Sequence, residues 1–203
     1  KDSVYLASIC GSGDTFAAAF LELSAGQFST TQMSGAGSWD KVRDQIGAFS
    51  PREILFPRSL EREVLSAFGA SQDNLLFADE SPSTGGLATL TPQENENFGF
   101  DDCSDLLKTQ FGVKELTAFG LDGKKDSIRA GGACLRYARE TQKTIAGHIA
   151  TIEYFEPADH MVLDAVTLRN LEIVESRGDS SKRTLFGVLD QTVTGMGSRL
   201  LRQ

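Results

Sequence analysis

The first thirty-one residues contain three short runs that are rich in apolar or β-forming residues and are separated by turns. The first run, Val4–Cys10, ends at the cluster Gly-Ser-Gly-Asp, and the second run covers residues 15–23. A turn at residues 24–27 leads into the third run, Phe28–Thr31. Short β-rich runs with glycine-containing connections are typical of antiparallel hairpins. We therefore expect three antiparallel strands, although the alanines of the second run also favour a helix.

Helical and strand patterns alternate over the next hundred residues. Apolar residues at helical spacing follow Ser38, which we expect to be the N-cap of a first helix. A buried strand is predicted at Glu53–Phe56, and a second helix is predicted to end at Gly69. Residues 79–93 have no clear period, so we expect a loop there. The remaining predictions are helices at about 101–111 and 128–142 and a strand at 149–155.

The composition limits the class of protein. The 203 residues, of which 40% are hydrophobic, suffice for one domain with a real core and an appendage. The formal charge of -8 disfavours a module that coats nucleic acid, because phosphate binding depends on Lys and Arg. No apolar run approaches the roughly 20 residues of a membrane span. Cys10, Cys103 and Cys134 are widely spaced and indicate buried thiols, so we expect a soluble cytoplasmic protein.

The pattern changes after His160, where every predicted element is a helix. Asp164 can cap one helix, and a second begins near Leu185. We therefore expect a domain boundary near residues 147–160. The last twelve residues resemble the first turns of another amphipathic helix with a threonine cap but without a stop signal. This pattern predicts that the sequence is a piece of a longer protein.

Two glycine motifs invite a nucleotide-binding interpretation, and neither is complete. Gly11 and Gly13 follow a strand, but the dinucleotide fingerprint needs a third glycine where this chain has Phe16. That interpretation also requires residues 15–23 to form a helix. The stretch from Gly120 to Lys125 lacks both the glycine spacing and the hydroxyl residue of a phosphate loop. We expect a hairpin turn and a solvated turn, respectively.

Metal-binding patterns are weak. His148 and His160 have no Cys, Asp or Glu at the spacing of a metal site, so we expect exposed or hydrogen-bonded histidines. The cluster of Asp101, Asp102 and Asp105 could hold a divalent cation. More simply, it places negative charge in the first turn of a helix, where the helix dipole favours it.

A basic helical face is formed by Arg136, Arg139 and Lys143, with Glu140 beside them. Their three- and four-residue spacing predicts a salt-bridged solvent face, and contact with phosphate is the alternative. The residues therefore predict no catalytic, cofactor-binding or metal-binding site. They also leave the partner-binding residues unassigned.

Five stretches of the sequence resemble the MutS family of DNA mismatch repair proteins, in the order of that family and over essentially the whole chain. The stretches "LDAVTLRNLEIVES" and "TLFGVLDQTVTGMGSRLL" resemble the opening of its core, or lever, domain. Those reading "LELSAGQF", "LLKTQFGVKELTAFGL" and "AGGACLRYARETQKT" resemble its connector domain. The resemblance implies a connector at residues 1–146, a linking segment at 147–160, and the first core helices at 161–203.

The resemblance also implies a fold class. This is an α/β, ribonuclease H-like connector with a mixed sheet, followed by a short all-α segment. It decides the alanine-rich run at residues 15–23 in favour of a strand. Where the family usually has Thr-Pro-Met-Gly, this chain has Gly195 in place of the proline, and we expect a slightly frayed helix start there.

As the resemblance implies, the chain is a non-catalytic relay between a mismatch-binding domain and an ATPase domain, and it offers a docking surface for MutL. The helix before Gln110 lies in the region where the family docks that partner. The parent is expected to be a homodimer that binds mismatched DNA through other domains and binds ATP with Mg²⁺. The string Phe20-Leu21-Glu22 matches the mismatch-reading motif of the family, but it lies in the connector hairpin, so we expect coincidence.

A metal-dependent nuclease on the same fold is the alternative function. Such enzymes gather carboxylates around two metal ions, one of them on the first strand. The run Val4–Cys10 carries no carboxylate, and Asp2, Asp14 and Glu22 are the only early candidates. We therefore expect the ribonuclease H-like fold that the resemblance implies, without the carboxylates that bind the catalytic metal ions.

Overall fold

The computed structural model describes residues 4–69, 88–141, 148–156, 171, 173 and 184–201. The chain divides into two compact units, Val4–Asp159 and a unit formed mainly by His160–Gln203. Among the described residues, no helix combines the length and the apolar composition that crossing a membrane requires.

The first unit begins with three antiparallel strands, as predicted. They are β1 (Tyr5–Ser12), β2 (Thr15–Glu22) and β3 (Gln27–Ser34), and each pairs with the next along its whole length. Ala17, Ala18 and Ala19 in the middle of β2 are completely buried. Their helix propensity is overridden because small side chains are needed where helices pack on both faces of this central strand.

Parallel strands extend the sheet on both sides. They are β4 (Glu53–Pro57) next to β1, β5 (Thr89–Gln93) next to β4, and β6 (Glu153–Tyr154) next to β3. Within the described residues the strand order is β5-β4-β1-β2-β3-β6, a mixed sheet. This arrangement is the ribonuclease H-like α/β fold that the resemblance implied.

The prediction of a loop at residues 79–93 was wrong for its last five residues. Residues 79–87 lie outside the described part, but Thr89–Gln93 forms β5 at one edge of the sheet. Pro92 lies opposite Phe56, and an edge strand tolerates a proline because one of its sides needs no ladder hydrogen bonds. The strand predicted at 149–155 pairs over only two residues.

Four helices cover the two faces of the sheet. Helices α1 (Ser38–Phe49) and α2 (Glu61–Phe68) lie on one face, and α3 (Phe100–Phe111) and α4 (Lys125–Thr141) lie on the other. Gly69 ends α2 as predicted, with its N–H donating to the Leu65 carbonyl. Short 3-10 turns occur at Arg58–Leu60, Asn95–Phe98 and Thr117–Phe119.

The predicted N-cap of α1 is wrong by one residue. Gly37 occupies the cap position in the left-handed conformation with a φ of 74°, and Ser38 is the first helical residue. The turn before the helix is tight, since the Ser38 N–H donates to the Gly35 carbonyl at 3.1 Å. A positive φ at the cap suits glycine, so the backbone of the turn decides the position instead of a serine side chain.

The second unit contains two short described helices. They are α5 (Leu185–Leu189) and α6 (Gly195–Leu201), and both were predicted from the sequence. Each begins with a threonine cap, because Thr184 Oγ1 accepts from the Gly187 N–H and Thr194 Oγ1 accepts from the Gly197 N–H. The helix predicted after Asp164 lies outside the described residues. Fraying at Gly195 stays a prediction.

Candidate functional site

The early carboxylates proposed for a nuclease are not brought together. Asp14 lies in the turn before β2, and Glu22 lies at the far end of that strand, whose length is roughly 23 Å at about 3.3 Å per residue. Glu22 is buried and accepts hydrogen bonds from Ser24 Oγ at 2.6 Å and from the Ala25 N–H, so it closes the β2–β3 turn. Asp2 lies outside the described residues. The nuclease alternative is therefore not supported.

The nucleotide-binding alternative is wrong, because its glycines lie in a hairpin. Gly11 lies near the end of β1, Gly13 lies in the turn to β2, and the segment that would have to be a helix is strand β2. The stretch that faintly resembles a phosphate loop is a turn, as predicted. Gly120 and Gly123 have φ values of +74° and +68° there, and Leu121 between them is buried in the core.

The possible metal ligands also have structural roles. His148 Nε2 lies 2.8 Å from the Leu23 carbonyl, in agreement with a hydrogen-bonded histidine, and His160 is outside the described part. Asp101 and Asp102 lie in the first turn of α3, as the helix dipole favours. In the described ranges, no group of three or more His, Cys, Asp or Glu residues could hold a metal ion.

The three cysteines are unpaired and buried, as predicted. Burial raises the pKa of the Cys103 thiol to about 11. Burial likewise raises the pKa values of Cys10 and Cys134 well above the ordinary range of a thiol. Since the thiolate is the nucleophilic form, these side chains are packing residues without reactivity at neutral pH.

Helices α3 and α4 meet at a point of very close approach. A Cβ added to Gly132 would lie 2.3 Å from Cys103 Cβ, so only glycine fits there. Next to this contact, residues of the two helices line an open groove of about 570 Å³, which we call the α3–α4 groove. Its lining consists of Asp102, Asp105, Leu106, Thr109, Arg136 and Glu140.

The salt-bridged face predicted for α4 does not form among the described residues. Arg136 is half-buried in the α3–α4 groove, Arg139 and Glu140 are exposed, and none of the three takes part in an ion pair with another described residue. Lys143 lies outside the described part. Arg136 lines the groove together with residues of α3, and Arg139 is not part of that lining.

A polar network fixes the segment that follows α4. Tyr154 donates its hydroxyl hydrogen to Glu156 at 2.8 Å, and Lys124 Nζ donates to the same carboxylate at 2.9 Å and lies 4.6 Å from the centroid of the Tyr154 ring. The hydrogen bond from Lys124 lowers the pKa of Glu156, and the hydrogen bond with Tyr154 raises the pKa of Lys124. Ile149 and Ile152 on the same segment are buried.

Sequence reasoning missed this network and the α3–α4 groove. Lys124 is thirty-two positions from Glu156, and Asp102 is about as far from Arg136. No local pattern connects residues at such separations. The helical spacing of the polar residues of α3 and α4 was the available signal. It identified a polar face on each helix, but it did not show that the two faces lie side by side.

Comparison with known proteins identifies the two units. The profile of MutS domain II matches residues 4–150, almost three quarters of the chain. The chain belongs to the MutS family. The profile of MutS domain III matches residues 166–203, so the MutS domains occur here in consecutive order. They correspond to the connector and core domains that the resemblance predicted.

Individual MutS proteins match the chain along its whole length. The DNA mismatch repair protein MutS of Symbiobacterium thermophilum is 35% identical over 100% of the chain, and that of Roseiflexus castenholzii is 31% identical over 98%. The MutS of Methanococcoides burtonii is also 31% identical. The chain spans only about a fifth of the length of these relatives, between 20% and 22%.

Proposed function

We propose that this chain acts in DNA mismatch repair as a connector domain together with the first helices of a core domain. The connector comprises residues 1–146, a linking segment follows at 147–160, and the core helices lie at 161–203. The observation that carries this proposal is the match of both MutS domains, in family order, to this chain.

The chain itself catalyses no reaction. Changes in its orientation transmit signals between a mismatch-binding domain and an ATPase domain of the whole protein. A relay of this kind needs a rigid body whose position both ends can bias. Three features support rigidity. Helices cover both faces of one sheet, Gly132 lets α3 and α4 touch, and the segment after α4 is anchored by Ile152 and the Lys124–Glu156 pair.

The whole protein, in this proposal, is a homodimer that binds mismatched DNA through other domains and binds ATP with Mg²⁺. The connector offers a docking surface for MutL on the outer face of α3. This surface is exposed at Asp102, Asp105 and Thr109, which leaves room for a partner without any disturbance of the core.

The relay is tested in the whole protein by measuring the affinity for mismatched DNA with and without ATP. The ratio of the two affinities is the coupling between the sites. Ile152→Ala opens a cavity under the anchored segment, and we expect it to change this coupling by about 0.5–2 kcal/mol while the affinity without nucleotide stays the same. Leu65→Ala, at an exposed position of α2, is the control. An unchanged coupling in a folded Ile152→Ala protein would contradict the relay.

Docking is tested by a binding titration with the MutL protein encoded in the same genome. Both the 203-residue chain and the whole protein are titrated, so that a surface completed only in the whole protein is also detected. Absence of binding by both would refute the docking function and leave the family assignment intact.

A further inference from the structure

The α3–α4 groove is an open surface whose two walls follow the faces of two helices. Its α3 wall follows the spacing i, i+3, i+4 and i+7 from Asp102 to Thr109, and its α4 wall follows i and i+4 from Arg136 to Glu140. Residues at these spacings share one helical face. The two walls are fixed relative to each other because the helices touch at Gly132 and Cys103.

The groove carries a net negative charge, and most of its charged side chains form no ion pair with another described residue. Three carboxylates and one guanidinium line it, which gives a net charge of -2. Asp105 pairs with Lys108 at 3.7 Å, and its side chain remains 80% exposed. Among the described residues, no ion pair involves Asp102, Arg136 or Glu140. These groups can therefore pair with a partner at little cost in broken contacts.

An apolar position lies among these charges. Leu106 is half-buried on α3 and is the aliphatic member of the lining, next to the fully buried Leu107 that belongs to the core. Protein interfaces commonly combine an apolar anchor of this kind with a polar rim. Helix-in-groove recognition uses the same combination along one face of the bound segment.

We propose that the α3–α4 groove receives a basic segment of a partner protein, whose Lys or Arg side chains pair with Asp102, Asp105 and Glu140 while an apolar side chain packs on Leu106. This inference rests on the proposed docking function and adds the chemistry of the partner. Arg136 donates to a carbonyl or carboxylate oxygen of the same segment, which sets its register.

Other occupants fit the groove less well. A nucleic acid would bring phosphates toward a groove of net negative charge, which opposes binding. A small molecule is disfavoured because the groove is open to solvent along its length. Charge complementarity instead favours a cationic protein segment, and complementary charges act mainly by accelerating association.

The experiment compares two charge-matched variants in the titration with MutL from the same genome. The test variant combines Asp102→Asn, Asp105→Asn and Glu140→Gln, all at exposed positions. The control combines Asp40→Asn, Asp44→Asn and Glu63→Gln, which are exposed on the helices of the opposite face. Each removes three negative charges. Thermal unfolding of both proteins verifies that the fold is kept.

We expect the test variant to bind about tenfold more weakly at low salt, mainly through slower association, since three exposed ion pairs are lost. The loss shrinks at high salt, and the control binds like the unmodified chain. A second measurement uses a carbodiimide, which joins carboxylates directly to lysines in contact with them. Mass spectrometry is expected to find Asp102, Asp105 or Glu140 joined to MutL lysines.

The outcomes separate the inference from the function on which it rests. If MutL binds but the test variant binds equally well, or the cross-links map to other carboxylates, the basic-segment proposal is overturned and docking stands elsewhere on the chain. If neither the chain nor the whole protein binds MutL, the docking function fails and this proposal fails with it. If a Leu106→Ala variant binds MutL with unchanged affinity, the claim that a partner side chain packs on Leu106 is contradicted.

Discussion

The two faces of the sheet are packed in opposite ways. On the face of α1 and α2, aromatic rings fill the space, and Phe20 stacks on Phe49 with ring centroids 3.9 Å apart. On the face of α3 and α4, small residues let the backbones approach, as at Gly132 and at the buried Cys134. Large side chains gain more from the hydrophobic effect, whereas small ones give the closer contact between elements.

This contrast explains why the candidate surface lies where it does. The close contact at Gly132 holds α3 at a fixed position on α4, so the α3–α4 groove keeps one shape. The aromatic face depends on rings such as Trp39 and Phe68 that are only partly buried. We therefore assign the rigid docking role to the face of α3 and α4, where the helices touch at Gly132.

The largest effect is expected from Phe20→Ala. This ring is completely buried between the sheet and α1, and its removal leaves a cavity, so the free energy of unfolding should fall by about 3–5 kcal/mol. Phe49→Ala removes the partly buried partner of the stack and should cost less. Urea denaturation of the two variants measures this difference. Equal losses would mean that the stack, and not the burial of Phe20, carries the stability.

A smaller loss is expected from Gly132→Ala on the opposite face. Its new Cβ would meet both the Cβ and the Cα of Cys103, at 2.3 Å and 2.6 Å, so the helices must move apart. Overpacking of this kind typically costs about 1–3 kcal/mol. Denaturation gives the stability, and weaker binding of MutL would indicate that the α3–α4 groove has changed shape. A neutral substitution would contradict close packing as the source of rigidity.

The matched substitution Gly47→Ala in α1 should have the opposite sign. Nothing lies within 4 Å of a Cβ at this exposed helical position. Alanine also has a higher helix propensity than glycine, so we expect stabilisation by up to about 1 kcal/mol. A shift of the denaturation midpoint to higher urea at constant slope is the expected result. Destabilisation would show that α1 is packed as tightly as α4.

The smallest effect concerns pH and the Lys124–Glu156 pair. The folded pKa of Glu156 is lowered from its ordinary 4.5, so its contribution is complete above pH 4.5 and is lost as the pH falls through the folded pKa. The side chain of Glu156 is 45% exposed, and solvent screening should keep the effect below about 1 kcal/mol. The stability difference between the unmodified chain and Glu156→Gln should therefore shrink from pH 7 to pH 3. A constant difference would exclude the ion pair as its cause.

Much of the fold follows from local patterns. The periodic apolar residues of α1, α3 and α4 and the runs of β1, β3 and β4 predict these elements because burial of one face imposes its period on the sequence. Strand β5 could not be predicted in this way, since its identity depends on pairing with β4 at the edge of the sheet. The candidate site was predicted only as separate faces of two helices, because side chains thirty positions apart meet only through the packing of α3 on α4.

The sequence by itself determined the family, the order of most elements and the lack of a recognised catalytic motif, because these depend on residue types at short spacing. The tertiary structure decided that Thr89–Gln93 forms an edge strand, that Gly37 caps α1, and that Asp102 faces Arg136 across a groove. Each of these outcomes depends on what a segment packs against. Packing partners are chosen by the whole fold, so local sequence leaves them open.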